Sequence, residues 1–517
     1  MSDIGAMPEE PTGDEFERDT AFPEQDAPEE AVRRTVTAKG VAVAGARTVA
    51  GLVGIGIAAA TIAAAVIIPF PTLGATPTGI TITPVPTAQQ LVCAGSVLRL
   101  ADDSGAGATT VSALGSPELR SASSDGQVST DSVETSDAST GGTSSAPTIV
   151  STPPTDASAT ESALVSGAQS QLVEEGDFVG LAAADCAVPG GDSWLAGGST
   201  AVGRTTLLSL TNPSEVAATV NLEIFGEDGP VVAPGTSGII VPANGQRVLS
   251  LAGFQPDIQS PVVHVTSTGG QVSATLQEAI VRSLVPGGVD IVASAPALTT
   301  SAVIPGVLVT DLDAVQALRK GGDPQFDDVE TAVRVFAPGE GSVAITVSVR
   351  PEDGADTGTS FTLDIDAGRV TDVPIQQLAT GSYTVSVTSE SPLVASARVT
   401  SAVGERTDFA WFASSPPLTV PAQFTAAPGP NPSLHLANPT TDDAQVVVAA
   451  RNGLSRTVTV PAGASALVEL EPGTTYSLTG YTALFAAVTL ADDGMIAGYG
   501  VHPPGVGAGP ILVYPQG

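Results

Sequence analysis

The sequence predicts an all-β protein: tandem immunoglobulin-like β-sandwich modules behind one N-terminal transmembrane helix. Three observations predict it. Short runs alternate apolar with small polar residues, and turn signals return every 8–12 residues. One pattern of runs recurs at a spacing of about 100 residues, the size of a sandwich domain. The chain carries 56 Gly and 41 Pro, with 42% hydrophobic but only 4% aromatic residues. That composition excludes a collagen, a coiled coil and a long-helix protein. A length of 517 residues is too great for one ordinary domain.

The N-terminus comes first. Residues 1–32 are polar and acidic, with Glu9, Glu10, Asp14, Glu15, Glu17 and Asp19 close together. No apolar period runs through them, so residues 1–47 are expected as a disordered tail. Arg33, Arg34, Lys39 and Arg47 then precede Thr48–Phe70, which has no charge at all. A helix of that length spans about 35 Å, enough for a bilayer core of about 30 Å. Basic residues lie on its N-terminal side only, which places the tail in the cytoplasm and the bulk of the chain outside. A cleaved signal peptide is the alternative, although its apolar region is normally shorter.

An outside location gives the two cysteines a role. Cys93 and Cys186 can pair in an oxidising compartment; two free thiols are the other reading. Between them, residues 102–169 are rich in Ser, Thr, Gly and Asp. They are expected as a disordered insert, either a solvated loop or an O-glycosylated stalk.

The modules are expected over 78–300 (with that insert), 301–418 and 419–517. In the first copy, Leu207–Pro213 (LLSLTNP) leads into Ala218–Phe225, then Val241-Pro-Ala-Asn-Gly245. The last copy repeats this order: Leu434–Pro439 (LHLANP), Ala444–Ala450 and Val460-Pro-Ala-Gly463. The middle copy, from Val333–Pro338 (VRVFAP) to Val399, is weaker. Asn-Pro suits a strand exit, because the residue before Pro is held extended and Asn can bond its own turn. A β-propeller is the rival, but its blades repeat at about 40–50 residues.

The N-terminal anchor, Cys186-Ala-Val-Pro189, Ser193-Trp194, Gly197-Gly198 and the Asn212-Pro213 strand exit together resemble an actinobacterial family of membrane-anchored exported proteins. Its function is unknown (the domain of unknown function 5719 type). The resemblance runs over Thr78–Gly517. It implies location and fold, and it supplies no catalytic residue.

Chemistry is sparse. The net charge is −35, from 19 Lys+Arg against 54 Asp+Glu, so no cationic surface exists for nucleic acid. Three histidines and two cysteines offer no clustered zinc motif. No Gly-x-Ser-x-Gly is present. His264 and His435 are expected as sheet residues and His502 at the surface. The acidic stretch from Asp311 to Glu330 reads as a solvated inter-domain loop, with calcium as the alternative. Asp364 and Asp366 share one face of a strand, but nothing sets them across a cleft as a glycosidase pair. Trp194 and Trp411 are expected first as partly buried core residues of a sandwich; they are also the candidate ligand contacts, since an exposed Trp can stack on a sugar.

The expected function is a non-catalytic, structural or adhesive array at the cell envelope, needing no cofactor or metal. Its partners would be the membrane, then cell-wall polymer or a membrane protein, and no nucleic acid. One alternative is an accessory scaffold for an envelope-biosynthesis enzyme. Another is an envelope hydrolase with its site at a module junction, where Asp327 is the carboxylate to test.

Overall fold

The computed structural model describes residues 51–53, 55–57, 80–82, 89–100, 110–135, 146–153, 163–354, 358–505 and 511–513. The chain forms two units, one of residues 1–79 with 514–517 and one of residues 80–513. In the first, residues 51–53 and 55–57 are helical, with Leu52, Val53, Ile55 and Ile57 exposed. The acidic tail and most of the expected span lie outside the described residues. No helix among the described residues is long and apolar enough to cross a membrane.

The second unit is all-β, as the alternating runs predict. Three cores follow one another along the chain. In the first, a sheet of Arg204–Asn212, Gly245–Ser250, Ser273–Arg282 and Val285–Val292 faces one containing Asp192–Ala196, Ala218–Gly226 and Val262–Gly269. Leu208, Leu210, Leu222, Ile224, Val263 and Leu276 fill the space between them. In the second, the long strand Gly381–Val403 pairs with Thr299–Val309 and Ser342–Pro351, then with Ala332–Phe336 and Arg406–Ala413. In the third, strands Ala422–Thr425, Thr475–Thr479, Ala444–Ala450 and Ser455–Val460 face Ser465–Glu469, Ser433–Ala437, Phe485–Asp492 and Met495–Gly500.

The first and last copies match down to their hydrogen bonds. The Asn212 side-chain amide donates to the carbonyls of Val216, Val241 and Pro242, while its oxygen accepts from Ser214. Asn438 donates to Asp442, Val460 and Pro461 and accepts from Thr440. One asparagine thus ties the Asn-Pro exit to the Val-Pro-Ala turn in each copy. The middle copy has Ala337 before Pro338, which cannot make these bonds.

Residues 102–169 require a correction. Where described, they form strands: Val111–Ala113, Glu118–Ser123, Ser129–Ser132, Glu134–Thr135, Thr148–Ser151 and the start of Val165–Glu175. Low hydrophobicity reads as disorder when a segment must bury its own core. Here the small side chains of Ser123, Ser166 and Ala168 are buried against neighbouring strands instead. Glu118–Ser123 pairs with Val165–Glu175, which pairs with Phe178–Asp185.

Four strands close the unit: Phe178–Asp185, Val285–Val292, Arg406–Ala413 and Met495–Gly500. Each is an edge strand of its own sheet. Each packs on the next, and the fourth packs back on the first. Their alternate residues enter successive cores. Ala182 and Ala184 meet Val289 and Ile291. Phe409 and Trp411 enter the first core, while Ala410 and Phe412 meet Ile496 in the second. Ala497 and Tyr499 meet Leu181 and Ala183 in the third. A strand buried on both faces reads as a continuous apolar run, as these do. The repeat length argued against a propeller, yet the inner strands close a ring as propeller blades do. The repeat is long because three of these sheets also carry a partner sheet across a core.

Candidate functional site at the module junctions

The junctions between cores hold most of the buried charge. Each charged residue sits alone in an apolar strand: Val333-Arg334-Val335, Ala397-Arg398-Val399, Val289-Asp290-Ile291 and Thr407-Asp408-Phe409. Strand alternation would allow an outward position, but a second sheet covers that face.

Asp328 joins the first and second modules. Its Oδ2 accepts from Arg204 Nη2 at 2.8 Å and from Arg398 Nη2 at 3.1 Å, and its Oδ1 from Arg282 Nη2 at 2.8 Å. Burial alone would raise its pKa, but the charges of Arg398, Arg282 and Arg204 outweigh burial and hold it far below the ordinary 3.8. Arg334 spends all five N–H donors at one junction. It grips both oxygens of Asp372 at 2.8 and 2.9 Å and donates to the carbonyls of Gly198, Pro261 and Gln259.

Asp408 sits among the inner strands. It accepts the backbone N–H of Leu181 at 2.9 Å, of Ile496 at 3.1 Å and of Val289 at 3.3 Å. Each donor belongs to a different inner strand. Gly288, with φ of +117°, allows this approach; a Cβ there would come within 2.6 Å of Asp408 Oδ1. Burial pushes Asp408 up to about 8 against these backbone donors. Burial likewise raises Asp290 and Glu278.

At the junction of the second and third modules, His435 Nδ1 lies 2.5 Å from Glu352 Oε2, and its Nε2 lies 2.8 Å from Thr489 Oγ1. Carboxylate, imidazole and hydroxyl in this order copy the logic of a nucleophilic triad. The His435 and Glu352 side chains, however, are each only 1% exposed. No substrate reaches that hydroxyl in this conformation. The arrangement binds strands together, and Gly306 N and Thr384 Oγ1 complete the shell of Glu352.

The residues singled out from the sequence fall in separate places. Cys93 and Cys186 are bonded and buried, and they fasten strand Gln90–Cys93 to the end of the first inner strand. The two tryptophans take the core-packing role rather than that of surface ligand contacts. Trp194 is 6% exposed and stacks on His264 at 4.0 Å, beside Phe225 and Phe336. Trp411 is 4% exposed; its Nε1 donates to Glu278 at 2.7 Å, its backbone N–H to Asp290, and Arg334 covers its ring. A large ring is more stable at an interior junction than in water.

His264 lies in its strand between Glu223 and Asp192. His502 is not simply at the surface: it folds back onto Asp185, Nδ1 to Oδ2 at 2.8 Å. The acidic stretch is not a plain solvated loop. It holds the helix Leu312–Lys320, and its carboxylates serve separate partners: Asp311 meets Ser401, Asp323 caps Gln325, and Asp328 meets the arginines. Asp327, Asp364 and Asp366 are exposed. Among the described residues, no three His, Cys, Asp or Glu side chains group as a metal site. The buried clamps on Asp328, Asp408 and Glu352 were not anticipated. For Asp408 the signal is a lone charge inside an apolar strand; for Asp328 it is the charges of its partners Arg282 and Arg398 in their strands, and Glu352, past the end of its strand, carries none.

No curated protein matches the chain. A family model described as a family of unknown function (DUF5719) matches residues 138–471, more than half of the chain, including Asp328, Glu352 and Asp408. The chain belongs to that family of unknown function.

Proposed function

We propose that the chain is a membrane-anchored, extracytoplasmic scaffold of the cell envelope, with immunoglobulin-like modules that bind through their outer sheets and loops. The observation that carries this reading is the set of buried clamps. Asp328, Arg334, Asp408 and Glu352 each bridge separate sheets and spend their hydrogen-bonding capacity on the protein itself. Such junctions hold modules at fixed separations, which suits a spacer or adhesive body. The disulfide fits an oxidising compartment. The uncharged run Thr48–Phe70, with basic residues before it, supports an anchor with a cytoplasmic N-terminus.

The saturated carboxylates of Asp328, Asp408 and Glu352 weigh against a hydrolase at a module boundary. The test has two arms. Protease treatment of intact cells should remove the modules and spare the tail. The full chain should sediment with isolated cell-wall polymer, saturably and in high salt. Full protection of the modules in intact cells would end the topological reading. Failure to sediment, with a membrane enzyme co-purifying instead, would favour the accessory-scaffold alternative.

A further inference from the structure

In the cleft beside the helix Leu312–Lys320 the protein leaves one buried hydroxyl without a partner. The helix lies over the second module, with Val315 packed on Val329 and Ala402. Between the helix and the segment from Ile375 to Leu378 opens a cleft of about 460 Å³. That volume falls within the range of small-molecule sites, about 300–1,000 Å³. Thr400 contributes to its lining; it is 3% exposed, and its hydroxyl has no hydrogen-bond partner. A buried hydroxyl left unsatisfied costs free energy that a bound ligand recovers. Gln316, Gln376 and Gln377 line the same cleft with their amides exposed to solvent. Gln377 holds φ of +62°, a left-handed backbone uncommon outside glycine.

The lining selects a chemistry. Its two charges, Arg319 and Glu330, pair with each other and leave no net charge. The surrounding chain carries −35 and repels anions. No aromatic ring is among the lining residues to cage a cation. Three glutamine amides and a threonine hydroxyl offer donors and acceptors together, which complement a neutral amide. Leu312, Ile375 and Leu378 supply apolar wall for a methyl group. We propose that this cleft is a binding site for a neutral ligand presenting a secondary amide beside a small apolar group. Acetamido sugars and short alanyl peptides share that chemistry. The proposal does not depend on the envelope reading.

The full chain is titrated with the methyl glycoside of N-acetylglucosamine, with N-acetylalanine methylamide and with methyl glucoside, read by saturation-transfer NMR. Saturable binding of one or both amide probes, and none of methyl glucoside, is expected; the arm that binds identifies the source. Thr400→Val removes only the unpartnered hydroxyl, so it should unfold at the same or a higher temperature and bind at least tenfold more weakly. Gln316→Trp fills the cleft from an exposed helix position and should also weaken binding at least tenfold. The proposal is overturned if neither amide probe binds, if methyl glucoside binds equally well, or if both folded variants bind as the wild type does.

Discussion

The Asp408 carboxylate accepts the backbone N–H of Leu181 at 2.9 Å, across 227 residues of sequence. The bond joins the third inner strand to the first. Together with the N–H groups of Val289 and Ile496, it makes one side chain a shared acceptor for all three other inner strands. Single substitutions probe this geometry.

Asp408→Asn should destabilise the chain by about 2–4 kcal/mol. An amide turns one acceptor atom into a donor, which then faces a buried N–H. The wild type should also lose stability as pH rises from about 4 to about 8, because burial raises this carboxyl from 3.8 to about 8 in the folded chain. The uncharged form is favoured by folding, so its contribution is complete below the unfolded value and gone above the folded one. Asn should flatten this slope. Denaturant unfolding across that window measures both effects, and an unchanged slope would refute the assignment.

Asp328 predicts the opposite dependence at low pH. Its pKa is depressed in the folded chain, so its stabilisation is present above the unfolded value near 3.8 and lost as pH falls further. Asp328→Ala leaves Arg204, Arg282 and Arg398 without their shared counter-charge and should cost about 3–5 kcal/mol. Acid unfolding of wild type and variant should converge. Equal stability at neutral pH would show that the three arginines do not need this carboxylate.

Reduction of Cys93–Cys186 should lower stability by about 2–4 kcal/mol, since the bond closes a long loop, with a sequence separation of 93. A Cys93→Ser, Cys186→Ser double variant should show the same midpoint shift in urea and no further response to reductant. A residual reductant effect in that variant would contradict the account, as no free cysteine exists among the described residues.

Gly306→Ala should be costly. Gly306 has φ of +74°, and a Cβ would stand 2.7 Å from the His435 ring. Strain and the displaced ring together should cost about 2–3 kcal/mol. Gly339→Ala is the control, with φ of +110° but nothing within 4 Å, and should cost about 1 kcal/mol. Equal losses in thermal unfolding would mean that backbone strain alone, not the His435–Glu352 junction, sets the requirement.

Strand pattern was legible because local alternation survives whatever packs on it. Tyr383, Val385 and Val387 all face the second core, as their period of two requires. The paired Asn-Pro and Val-Pro-Ala motifs marked the first and last copies, and Asn212 and Asn438 explain why they travel together. The strands inside residues 102–169 were not legible, because small polar residues carry no hydrophobic period even when a neighbouring sheet buries them. The inner ring was hidden for a similar reason. Leu181-Ala-Ala-Ala184 shows that both faces are covered, but not that the two covers come from parts of the chain far apart. Trp194 and Trp411 show the same limit: sequence alone leaves both exposure and burial open to an aromatic residue.

Ring closure also imposes an order of events. The cover on Leu181 and Ala183 includes Ala497 and Tyr499, and the nearby His502–Asp185 contact spans 317 residues. Until the fourth inner strand emerges from the ribosome, the first keeps one apolar face bare. Pairings this distant make folding slow and leave incomplete chains prone to association. A nascent chain of this protein therefore stays vulnerable to proteases and to its neighbours until the strand Met495–Gly500 is made and docked, and it gains resistance to both in that one step.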